Sequence, residues 1–230
     1  MHNAITRRTA VKSAAVIGAV TAMSSLIQGT AAAAPQKPQA EAAKPPTSAN
    51  GWPIENEANH VSTVWTRPAA GTGLQFDVRI GDAEAILVHV VRRFHYEVEQ
   101  IQRGADLLGW RKSGGLRKEL PESNLASGTA VQIRPGASAK GGLFPLQELV
   151  LRDILGECDD VVRWGGDDAH VDESLFYIAA GPNDDRVRKL ADKLRGWAAT
   201  PGEGAGVGVD VLSPSRRSRA DHLARVQRSA

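Results

Sequence analysis

The chain has 230 residues, 42% hydrophobic and 23% charged, a balance that suits one globular core with flanking segments. Its formal net charge of +2 gives no reason to expect nucleic acid as a partner. The single cysteine, Cys158, excludes an intramolecular disulfide.

In chain order, the first feature is a basic stretch, TRRTAVK at 6–12, followed by an apolar, small-residue run from Ala14 to Ile27 and then GTAAAA. That order predicts an export signal over 1–33, with cleavage near Ala33. The adjacent Arg7 and Arg8 point to the twin-arginine route, hence to a secreted or cell-envelope location. The run is interrupted by Ser and Thr and is short of the ~20 apolar residues of a membrane span, so no stable span is expected after cleavage. Residues 34–50, rich in Pro, Ala, Gln and Lys, read as an extended linker, with ordered structure starting near Trp52. A folded domain is expected over 51–212. Residues 34–212 carry 20 basic and 25 acidic side chains. The segment 213–230 carries five arginines against Asp221, and is expected to be a basic, disordered tail.

Within the domain, LQFDVRI at 74–80 alternates as a half-buried strand does. Apolar residues at 83, 86, 87, 90, 91, 94, 98 and 101 predict one amphipathic helix of about five turns. His95 flanks its apolar stripe and reads as a hydrogen-bonded packing residue. Strand-like runs follow at 106–111, 128–133, 160–164 and 174–179. A helix is expected over 144–158, with Leu146, Leu149, Val150 and Ile154 inward and Cys158 buried. Another is expected after Asn183, with Val187, Leu190, Ala191, Leu194 and Trp197 on one side. Residues 200–212 read as a last edge strand or a glycine-rich exit. Strands and helices mix without regular alternation, which predicts an α+β fold: a small mixed or antiparallel sheet packed against helices.

Four blocks occur in a fixed order: RRFHYEVE (92–99), GWR (109–111), SNLASGTAVQI (123–133) and RWGGDDAHVDESLFYI (163–178). Together they resemble the zinc D-alanyl-D-alanine carboxypeptidase family, whose fold is shared with the Hedgehog signalling domain. The likeness covers roughly residues 84–180. It implies a zinc held by three protein ligands, with a fourth position left for a water whose pKa falls to about 7. Carried over position by position, the three ligand places fall on Leu125, Gln132 and Leu175, none of which suits zinc. The general-base place falls on Asp172 and the substrate-orienting arginine on Arg111, both retained, and Ser123 keeps its motif place. The expected cofactor set is therefore none, with no metal site, although the family uses zinc.

Three functions stay open from the residues. The first is an exported pseudo-peptidase that binds the stem peptide of peptidoglycan through Arg111, Ser123 and Trp164 without cleaving it. The second is an active peptidoglycan peptidase with relocated metal ligands, in which Asp172 would be the base. The third is a purely structural or partner-binding envelope protein. Structural alternatives accompany the first: an ion pair for Arg111, plain core for Trp164, and a loop cap for a metal-free Asp172.

Overall fold

The computed structural model describes residues 44–137 and 139–229. The expected export signal and most of the expected linker lie outside these residues. Among the described residues no helix is long and apolar enough to cross a membrane.

Among the described residues the fold is α+β, with four α-helices and two small antiparallel sheets. Strands β1 (Val64–Ala69) and β2 (Leu74–Arg79) form a hairpin, in register from Val64 opposite Arg79 to Ala69 opposite Leu74. Strands β3 (Leu107–Leu108), β4 (Ala130–Ile133), β5 (Val162–Trp164) and β6 (Leu175–Ile178) form the second sheet, in the order β3-β4-β6-β5. Helices α1 (Asp82–Arg93), α2 (Pro145–Glu157), α3 (Asp185–Ala199) and α4 (Pro214–Arg228) complete the domain.

Alternation along the second sheet decides where the core lies. Val131 and Ile133 of β4, Phe176 and Ile178 of β6, and Val162 and Trp164 of β5 are buried in the main core with Ile86, Leu87 and Val90 of α1. The other face carries Ala130, Gln132, Leu175 and Tyr177, because Gln132 pairs with Leu175 and Ala130 with Tyr177.

Several expectations are corrected. The five-turn helix is α1 for twelve residues and then a π-turn, Phe94–Val98, closed by Glu99 N–H donating to the Phe94 carbonyl at 3.0 Å. In α2 the buried face is Leu151, Ile154 and Leu155, while Leu146 is 75% exposed. The face is rotated because Asp153 and Glu157 are themselves buried, neutralised by arginines from α1 and α4. The ordered chain starts before Trp52, with Ser48 buried and Thr47 bridged to Pro53. Of the two alternatives for residues 200–212, the glycine-rich exit holds: they form turns and no strand.

The expected disordered tail is instead α4, whose Ala220, Ala224 and Gln227 are buried and whose Arg216 reaches α2. Composition misled here: the arginines that read as a solvated tail include the partner of two buried carboxylates.

Candidate functional site

Of the three positions at which the resemblance would put metal ligands, Leu125 and Leu175 share one buried cluster, and Gln132 pairs with Leu175. Leu125 ends a 3₁₀ turn, Pro121–Leu125, and is 0% exposed; Leu175, on β6, is 3% exposed. Both belong to one apolar cluster with Ala130 and Tyr177, edged by Leu116 and Ala179. Gln132 stands directly opposite Leu175 across the β4–β6 ladder, so their side chains share a face. Burying the two leucines contributes about 1.5–3 kcal/mol each.

Gln132 solves the problem that a half-buried amide creates. Its Nε2 donates to Asp172 Oδ2 at 3.1 Å and lies 3.2 Å from Ser174 Oγ. The other oxygen of Asp172 accepts from Ser174 N at 3.0 Å and from Ser174 Oγ at 2.6 Å. Asp172 thus caps the turn entering β6, with both oxygens engaged inside the chain. Gly165 lets that turn close, since a Cβ there would lie 2.5 Å from the Asp172 carbonyl oxygen.

Two leucines and an amide offer no donor set for zinc, so the family's metal does not fit the residues present. Among the described residues no group of three His, Cys, Asp or Glu side chains is placed to hold a metal ion. His95 takes the packing role, its Nδ1 accepting from Ile101 N at 3.1 Å. Cys158 is fully buried, and desolvation, with Glu157 beside it, pushes its thiol up to about 12. It is no nucleophile.

Over Leu175 lies an open groove of about 560 Å³, lined by Leu120, Glu122, His170, Val171, Asp172 and Leu175 among others, with Leu125 and Gln132 not in its lining. Hydrogen bonds from Arg117, with a smaller contribution from Arg111, hold the Glu122 carboxyl below the usual carboxylate range. A second cavity, of about 420 Å³ between Gln100–Arg103 and Arg134–Ala137, contains none of the site residues expected from sequence.

The expected substrate-binding residues divide. Arg111 is exposed, and no hydrogen bond or ion pair engages its guanidinium among the described residues. Ser123 is 2% exposed, and its hydroxyl is used within the chain: it donates to the Lys118 carbonyl at 3.0 Å and accepts from Ala49 N at 2.9 Å. Trp164 pairs with Phe176 and so faces the core, on the side of the sheet away from the groove. Its Nε1 donates to the Glu173 carbonyl at 2.8 Å.

The motif blocks have structural work that sequence reasoning missed. Asn124, Ser127 and Thr129 hold the incoming segment: Asn50 N donates to Asn124 Oδ1, Ser48 Oγ to Ser127 Oγ, and Asn50 Nδ2 to Thr129 Oγ1. In the GWR block, Gly109 is required because a Cβ would lie 2.0 Å from the Asp77 carbonyl oxygen, and Trp110 Nε1 donates to the Ala126 carbonyl. In RRFHYEVE, Arg93 is 2% exposed and pairs with Glu97, with Glu157 at 2.5 Å and with Asp153 at 3.3 Å. Glu97 apart, no signal within one block reveals these partners, which lie up to 79 residues apart in the chain.

No family model matches the chain, and neither the curated proteins nor the solved structures contain a match to it.

Proposed function

We propose that this chain is an exported cell-envelope protein, a metal-free relative of the zinc D-alanyl-D-alanine carboxypeptidases, whose groove binds peptidoglycan stem peptide without hydrolysing it. The observation that carries the reading is the convergence of Leu125, Gln132, Leu175 and Asp172. Of these four positions, spread over fifty residues of sequence and singled out by the resemblance, Leu175 and Asp172 line the groove, while Leu125 shares a buried cluster with Leu175 and Gln132 pairs with Leu175 and donates to Asp172. A chance likeness of scattered blocks gives no reason for such a meeting.

Catalysis has no support from the same residues. Hydrolysis needs a nucleophile, a base and a group to steady the developing charge. Asp172 has both oxygens occupied, Cys158 is sealed in the core, and the ligand places hold leucine and amide. Binding keeps its means. Leu120, Val171 and Leu175 offer apolar surface in the groove; Arg111 does not line it, but acts on the carboxyl of Glu122, which does, and its free fork suits a carboxylate.

The experiment is metal analysis and peptide titration on the purified chain from residue 34. The reading expects no stoichiometric zinc, no D-alanine released from a stem pentapeptide, and saturable binding of that peptide weakened by Arg111→Ala. One zinc per chain, with chelator-sensitive release of D-alanine, would refute it.

A further inference from the structure

We propose that Gln227, near the end of α4, is the positioning residue of the groove wall: it fixes loop 165–172 and, through Asp168, the hydroxyl of Tyr177. A buried amide is costly unless its hydrogen bonds are made, and Gln227 is 8% exposed. Its Oε1 accepts from Trp164 N at 3.4 Å, and its Nε2 donates to the Trp164 carbonyl at 2.6 Å. Strand β5 is the edge of its sheet, so Trp164 has no neighbouring strand on that side. One side chain from α4 stands in for that strand.

The same Nε2 donates to Asp168 Oδ1 at 2.9 Å. Asp168 lines the groove, and its two oxygens each accept from Tyr177 Oη at 3.0 Å. Tyr177 belongs to the apolar cluster of Leu125 and Leu175. A continuous chain of contacts therefore runs from α4 to the groove floor. Arg228 adds to the grip, its Nε 3.8 Å from Asp167 Oδ1, and Arg152 holds Asp167 from α2 at 2.6 Å. At the other end of α4, Arg216 anchors the helix on Asp153 and Glu157. The inference rests on the groove reading for what the wall touches, and stands apart from it in how the wall is held.

The test uses two probes that need no ligand. The chain has two tyrosines, Tyr96 and Tyr177, so ring-labelled tyrosine gives two NMR resonances, with Tyr177→Phe identifying which is which. Gln227→Met keeps the side-chain volume and removes both donor and acceptor. The proposal expects the Tyr177 resonance to move and amide exchange across 165–172 to quicken about tenfold or more, with Tyr96 and the α1 amides unchanged. A folded Gln227→Met with a lowered Tm, but with the Tyr177 resonance and loop exchange of the parent, would reduce Gln227 to a packing residue and overturn the proposal.

If Gln227→Met does not fold, Asp168→Ala reads the relay from its middle. The Tyr177 resonance must then move while the Trp164 amide stays slow, and an unmoved Tyr177 overturns the proposal equally. A stem pentapeptide titrated into parent and Gln227→Met separates the two readings. About tenfold weaker binding in the variant supports both. No binding to the parent, with the Tyr177 and exchange changes intact, removes the groove reading and leaves the positioning in place.

Discussion

Two buried regions of this molecule treat charge in opposite ways. Beneath the groove, where the family resemblance expects a metal and its ligands, Leu125 and Leu175 are packed together and the neighbouring amide is tied to Asp172. Between α1, α2 and α4, by contrast, Arg93, Asp153, Glu157 and Arg216 are sequestered as a charged group. Burial opposes the charge on Arg93, but Glu97, Glu157 and Asp153 outweigh it and raise its pKa. Burial likewise opposes ionisation of Glu157, but His89, Arg216 and Arg93 pull its carboxyl down to about 2. The difference teaches that this chain keeps interior charge where both signs come from its own helices. Where the resemblance would put an ion, apolar packing stands instead.

The comparison breaks most visibly at Arg93. Arg93→Met leaves Asp153, Glu157 and Glu97 with one arginine among them. The account expects a loss of about 3–5 kcal/mol in urea unfolding, because removing one partner strands the rest. A loss below about 1 kcal/mol would mean that the cluster is solvated and that the contrast is false.

The groove floor answers to size. Leu175→Ala should cost about 2–4 kcal/mol through lost burial and the cavity left under the groove. Leu175→Met, of similar volume, should cost less than about 1.5 kcal/mol. Equal losses for the two would show that packing is not what holds this region.

Acidity sharpens the contrast further. Glu157 is held at about 2 against an ordinary 4.5, so its contribution is present above pH 4.5 and is lost as pH falls from there toward 2. On the order of 2–3 kcal/mol should disappear across that window. Glu157→Gln should flatten the pH dependence there, whereas Leu175→Ala should shift the whole curve without changing its shape. Parallel curves for parent and Glu157→Gln would contradict the assignment.

Sequence made some of this legible and hid the rest for identifiable reasons. The strands at β2, β4, β5 and β6 and the helices α1, α2 and α3 follow from periodicity, and attention to Leu125, Gln132 and Leu175 follows from the family resemblance. Strand β1 was missed because its middle residues are solvent-facing and include Pro68, so no alternation marks it. The face of α2 and the order of α4 were misread together. Asp153 and Glu157 look like a wet face until Arg93 and Arg216, 59 to 64 residues away in the chain, are known to meet them. The motif blocks alone put Ser123 and Trp164 at a ligand, because a motif shows which residue types occur and not which way they point.

The central proposal is that Leu125, Gln132 and Leu175 stand where the resemblance would put three metal ligands. It is tested most directly by restoring those ligands with Leu125→His, Gln132→Asp and Leu175→His in one chain, and by reading Tm with and without zinc. If the three positions converge as described, their side chains reach one ion at about 2.0–2.2 Å, and zinc raises the variant's Tm by several degrees while leaving the parent unchanged. A folded triple variant whose Tm does not respond to zinc would contradict the account.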